Sequence, residues 1–142
     1  MALHRMEVLP EGTPMFPQLA QFTDLGLLLL RLMAGVVFLS SGWGHLKDSE
    51  SRSKSIGVSK SFTIFLGLAE VAGSLGIMFG VLTQLAAIGL ILIMLGAIQK
   101  KITVWHTGFW GDKASGWHYD LVFAVMSLVI LFTDGGRYVL IK

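Results

Sequence analysis

Two ionisable side chains stand inside otherwise apolar runs. Arg31 is the only charge between Leu25 and Gly44, and Glu70 the only charge between Phe62 and Leu82. A charged group in hydrocarbon is costly unless it is paired or hydrated, so each demands a partner or a task. If both runs are helices crossing a bilayer, Arg31 lies about 9 Å and Glu70 about 18 Å below the same face, at about 1.5 Å per residue. A long arginine could span that offset and meet the carboxylate. Three readings stand side by side. The buried polar pair Arg31 and Glu70 is a structural ion pair fixing helix register, or a polar site for a proton, a quinone head group or a small polar substrate, or a contact for a partner subunit or lipid. A proton relay would need further steps, for which Gln99, Lys101 and Asp120 are the candidates.

A second set of groups gathers at chain positions flanking the apolar runs. Trp43, Trp105, Trp110 and Trp117 are all four tryptophans, and His45, His106 and His118 are three of the four histidines. Indole and imidazole rings favour the membrane–water interface, where one edge is apolar and the other wet. They could equally offer head-group or pigment contacts, from His45, His106, His118, Trp43, Trp105, Trp117 and Asp120. Such a pocket requires the three histidines and Glu70 to converge on one cleft.

Much chemistry is excluded. There is no cysteine, so thiolate metal sites, iron–sulfur clusters and thiol redox chemistry are out of reach of this chain. No phosphate-binding glycine loop or dinucleotide fingerprint occurs, no Ser-His-Asp arrangement is legible, and no metal site is expected. Membrane haem ligation needs two histidines facing each other within the bilayer, whereas these sit at helix ends. The net charge of +2 gives no basic run for nucleic acid.

The elements that position these groups are transmembrane helices. Of 142 residues, 54% are hydrophobic and 14% charged, well below the charge of a soluble domain. A hydrocarbon core about 30 Å thick takes roughly 20 apolar residues. Leu25–Gly44, Phe62–Leu82, Leu85 to Trp105 and a shorter run from Tyr119 to Phe132 meet that pattern. Asp24 and Ser61 are the expected N-caps of the first two, and Thr83-Gln84 a tight turn between the second and third. The expected fold is an all-α integral membrane four-helix bundle over residues 24–142, behind an irregular N-terminal arm over 1–23 that holds all three prolines and a short amphipathic turn near Phe16 to Phe22. The first span would act as an uncleaved signal anchor. A soluble bundle would need a charged face on each helix, which the first two lack. Four spans put the termini on one face and loops 45–60 and 105–118 on the other. Lys47, Arg52, Lys54, Lys60, Lys100, Lys101 and Lys113 oppose Arg5, Arg137 and Lys142, which points to cytoplasmic loops and outside termini in the cell (inner) membrane.

Small residues mark helix contacts. Ala72, Gly76 and Gly80 recur every fourth residue, with Ala69 and Gly73 on the same spacing; Gly35 and Gly42, and Gly89 and Gly96, stand seven apart. Such patterns let backbones approach closely.

The run Leu25-Gly-Leu-Leu-Leu-Leu-Arg31 through Gly35, Phe38 and Gly42 resembles the opening helix of DoxX-family membrane proteins. Gly67-Leu-Ala-Glu70-Val-Ala-Gly73, Thr83-Gln84-Leu-Ala-Ala87, Met94-Leu-Gly-Ala97, Gly116-Trp117-His118-Tyr119-Asp120 and Asp134-Gly-Gly-Arg137-Tyr138 follow in the family's order. The likeness spans about Asp24 to Leu140. It departs where Gly42-Trp-Gly-His45 replaces the usual Gly-x-x-Lys, and at Gln84, where arginine is common. The resemblance implies a four-helix membrane subunit, with Arg31, Glu70, His118 and Asp120 as the polar positions carried over. Relatives are linked to thiosulfate:quinone oxidoreductase or quinol oxidase complexes, and one to an oxidoreductase assembly concerned with oxidative stress. The expected role is an accessory subunit of a quinone-linked or other energy-converting redox complex, in contact with lipids and other integral subunits. It would hold no intrinsic cofactor, and quinone is the one the redox link would bring. The alternatives are a quinone-reactive oxidoreductase subunit of thiosulfate:quinone type using Arg31 and Glu70, and a membrane scaffold or small transporter. A family likeness does not by itself carry an activity.

Overall fold

The structure, a computed structural model, describes residues 12–112 and 115–142. Met1 to Glu11, the outer part of the expected arm, and Lys113 lie outside the described residues. A 3-10 turn, Pro17–Phe22, leads directly into α1 (Thr23–Lys47). A short polar helix α2 (Ser49–Ile56) follows, then α3 (Lys60–Phe79), α4 (Thr83–Thr103) and α5 (Trp117–Thr133). Among the described residues the only β pairing is two isolated bridges, Val81 with Ile141 and Gly111 with Ser115.

Helices α1 (extended by the 3-10 turn), α3 and α4 are long and apolar enough to cross a membrane, and α5, with 17 residues, is a shorter apolar helix. They form an antiparallel bundle in which α1 packs chiefly on α3 and α4 on α5. The interior holds Ala34, Phe38, Ile77, Ala87, Leu90, Met94, Ala124 and Ile130. Buried with them are as many polar residues: Arg31, Ser53, Thr63, Glu70, Ser74, Thr83, Asp120 and Ser127. The outer surface carries Met33, Phe65, Leu68, Leu85, Leu92 and Phe132 among many exposed apolar side chains. An apolar exterior around a partly polar interior is the distribution a bilayer solvent imposes, because lipid gives no reward for burying leucine. The chain is an all-α membrane bundle.

Local chemistry sets the boundaries, and some differ from expectation. The N-cap of α3 is Ser59, whose hydroxyl accepts the Phe62 N–H at 3.1 Å, rather than Ser61. Residue Gly80 stops α3 with φ +70°, and the Val81 N–H returns to Gly76 O at 2.8 Å. The turn is therefore 80–82, and Thr83-Gln84 opens α4 instead of forming the turn. Only glycine takes that left-handed conformation without strain from a Cβ. Residue Asp24 lies in the first turn of α1 rather than at its N-cap, which is Phe22. The loop after α1 is not irregular throughout, since α2 occupies half of it and ends at Gly57, φ +78°.

Candidate functional site

Arg31 is fully buried, and it does not reach Glu70. Its Nε donates to Ile77 O at 2.6 Å and its Nη2 to Met78 O at 3.2 Å, while Nη1 donates to Gly135 O at 3.1 Å and Tyr138 O at 2.6 Å. Ile77 and Met78 end α3, and Gly135 and Tyr138 follow α5. Carbonyls in the last turn of a helix lack an intrahelical donor and carry the negative end of the helix dipole. One planar guanidinium satisfies both sets. The expected Arg31–Glu70 ion pair is thus replaced by a cap, for a reason of register. A Cβ at Gly35 would strike Met78, and one at Gly42 would lie 2.8 Å from Glu70 Cβ, so α1 runs antiparallel to α3 with Arg31 level with Ile77 and Gly42 level with Glu70. The acceptors nearest Arg31 are carbonyls, seven residues or about 10 Å along α3 from the carboxylate.

The same capping explains the closing motif. Asp24 accepts the Arg137 N–H at 2.8 Å and pairs with its guanidinium at 3.3 Å. Leu140 and Ile141 N–H groups both reach Gly80 O at 2.9 Å, and the Leu82 N–H returns to Ile141 O at 3.0 Å. Residues 134–142 form a strap across the ends of α1, α3 and α4, with Arg31 beneath it. A side chain at Gly135 would come within 2.9 Å of both Arg31 and Thr83, so the strap lies this close only because glycine is there.

Glu70 belongs to a different centre. Its carboxylate lies 3.2 Å from His45 Nδ1, with side chains 2% and 12% exposed. That nitrogen is also 3.0 Å from Ser41 O. Both neighbours are acceptors, so Nδ1 carries the proton. Ser41 O and Glu70 Oε2 compete for that one hydrogen; Ser41 O meets it in hydrogen-bond geometry, and Glu70 Oε2 has no other donor. A second acid–base pair joins α4 to α5: Lys101 Nζ lies 2.7 Å from Asp120 Oδ2. This is an ion-pair contact bent off the hydrogen-bond line, and Lys101 is turned into the bundle rather than snorkelling outward as a lysine near a helix end ordinarily would. Its ammonium sits 5.9 Å from the Tyr119 ring, and Tyr119 is within electrostatic reach of both Glu70 and Asp120. Phe38 on α1 meets Phe123 on α5 edge-on at 5.6 Å. Gly42 and Tyr119–Asp120 each lie about one turn from that contact toward the loop face, so the two pairs share one layer across all four long helices.

The remaining flanking residues do not join this layer. His118 Nδ1 bonds Phe109 O at 2.7 Å and stacks near Trp110 at 5.2 Å. His106 is exposed at φ +50°. The three histidines therefore do not converge, and only His45 points inward. Trp43, Trp105 and Trp110 are exposed and Trp117 packs on Phe109 at 4.6 Å, an arrangement suited to an interfacial belt. Of the packing glycines, Gly35 and Gly42 meet α3, Gly73 and Gly76 meet Leu90 and Ala86 of α4, and Gly80 faces Arg31 and Val139. Ala72 is exposed and makes no such close approach. Of the expected convergence of the histidines with Glu70, His45 alone meets it, and the pairing of Lys101 with Asp120 is the contact that sequence reasoning missed.

The family model described as DoxX matches residues 26–106, more than half of the chain, and covers α1 to α4 with Arg31, His45, Glu70 and Lys101. His118, Asp120 and the closing strap lie beyond the matched range. No curated protein matches, and neither does any solved structure.

Proposed function

The chain belongs to the DoxX family of membrane proteins, and from that premise we propose that it is an accessory integral-membrane subunit of a quinone-linked redox complex. One observation carries this reading: apart from the Glu70 carboxylate, the charged groups within the bundle are engaged by backbone or by one another. Arg31 is held by four carbonyls, Lys101 by Asp120, and Asp24 by the strap. These contacts fix helix register, while the outward faces stay apolar for lipids and neighbouring subunits. Purification from native membranes in mild detergent tests it. A larger assembly containing redox subunits is the expected result, and recovery of this chain alone as a stable species would overturn it.

A second reading has a specific observation in its favour. Glu70 Oε2 is buried and accepts no hydrogen bond, and an unsatisfied buried oxygen in a layer that also holds imidazole, ammonium and phenol suits a quinone-reactive site. Lys101 and Tyr119 could donate to a quinone carbonyl, with Glu70 and His45 handling protons. This replaces the Arg31–Glu70 site by one centred on Glu70. Placement in the inner membrane with loops in the cytoplasm belongs to the same proposal. Its support is the excess of Lys47, Arg52, Lys54, Lys60 and Lys100 on the loop face over Arg137 and Lys142.

A further inference from the structure

Helices α3 and α4 are consecutive, yet they leave an open groove of about 690 Å³ between them. Its walls include the small residues Ala69, Ala72, Gly73 and Gly76 of α3, beside Leu75, and Ala86 and Gly89 of α4. The groove is bounded along the membrane normal. Following one stripe of α3 at helical spacing gives Phe62, Phe65, Ala69, Ala72, Gly76 and Phe79, bulky at both ends and small only in the middle. From Ala69 to Phe79 is ten residues, about 15 Å of helix, which is one leaflet of a hydrocarbon core about 30 Å thick. A partner helix crossing the whole bilayer would have to ride over Phe65 and Phe62, whereas a single lipid chain ends within one leaflet.

At its outer end the groove shares Leu82 and Leu85 with a second, smaller notch of about 260 Å³. Gln84, Asp134 and Lys142 line it, and Lys142 and Asp134 form a loose pair at 3.5 Å. A zwitterionic head group complements such a pair: its phosphate faces the lysine and its ammonium the aspartate. We propose that this groove and notch hold one phospholipid of the leaflet at the terminal face, with an acyl chain between α3 and α4 and its head group on Asp134 and Lys142. The site is independent of any redox role, so its failure would leave the proposed function standing, and the converse holds.

The test uses the full chain in vesicles of phosphatidylethanolamine bearing a diazirine on one acyl chain. A Cβ at Gly89 or at Gly96 meets nothing within 4 Å, so Gly89→Phe introduces a ring at the groove wall from an unobstructed position, and Gly96→Phe, outside the lining, is its control on the same helix. Ala72→Phe fills the groove from the opposite wall, which keeps the test valid if either variant folds poorly. Photolysis is expected to label peptides within 69–89 preferentially. Labelling should fall at least fivefold in Gly89→Phe and Ala72→Phe, stay unchanged in Gly96→Phe, and weaken in Lys142→Glu. Even labelling of all outward faces, or labelling indifferent to the filling variants, would overturn the proposal. So would recovery of an isoprenoid compound or a crosslinked partner helix in the groove from native membranes.

Discussion

Replacing Arg31 by Met keeps an apolar stem of similar length and removes every donor to four carbonyls. Two of these, Ile77 O and Gly135 O, are fully enclosed, and the Met78 and Tyr138 bonds are partly exposed. A stranded buried polar group costs about 1–3 kcal/mol, so with the two outer carbonyls discounted the expected loss is about 2–5 kcal/mol. For a chain of this size that is a fall in Tm of roughly 6–15 °C. Arg31→Lys should fall between, because one ammonium cannot span both carbonyl sets. Thermal unfolding in detergent reads the stability. Hydrogen exchange at Leu140 and Ile141 reads the strap, whose amides should lose protection first. Pairing the change with Glu70→Gln then separates the two arrangements. With Arg31 on carbonyls and Glu70 about two turns away, the effects should add to within about 0.5 kcal/mol. A coupling of several times that size, or an Arg31→Met protein as stable as the parent, would refute the capping role.

Three further outcomes follow from the geometry. Lys101→Met should destabilise by about 3–5 kcal/mol by stranding the Asp120 carboxylate, and the double variant Lys101→Met/Asp120→Leu should recover most of it; equal losses in single and double would argue against the pair. Gly42→Ala should cost about 1–3 kcal/mol in unfolding measurements, since its Cβ would lie 2.9 Å from Gly67 O, whereas Gly96→Ala, with open space, should be neutral or gain up to about 1 kcal/mol. The absence of native cysteine makes orientation direct to measure. Ser55→Cys should react with an impermeant thiol reagent only after the cytoplasmic side is opened, and Gln18→Cys before it; the reverse pattern inverts the topology.

The bundle was legible in the sequence because bilayer-facing helices must be apolar all round, and nothing else in so short a chain produces four such runs. The lone positions of Arg31 and Glu70 likewise announced burial. Their partners were not legible. Arg31 is satisfied by backbone carbonyls, which every residue possesses and no motif marks, and two of them come from a strap about a hundred residues away. Glu70 meets His45 because α1 and α3 touch at Gly42 and Gly67, a register that glycine spacing suggests on one helix but cannot assign to the other. Helix α2 was hidden because Ser49–Ile56 is polar on every side and shows no apolar period. The end of α3 at Gly80 rests on one backbone angle, and hydropathy runs through it unchanged.

The division of labour between Arg31 and the Glu70 layer leads to one decisive measurement, quinone-dependent electron transfer in native membranes carrying variants of this chain. For an accessory subunit, Glu70→Gln and Asp120→Asn should leave turnover per assembled complex unchanged. Arg31→Met should lower activity only in proportion to the loss of assembled complex. Loss of turnover in Glu70→Gln with the complex intact would contradict the accessory role and move the chemistry into this chain.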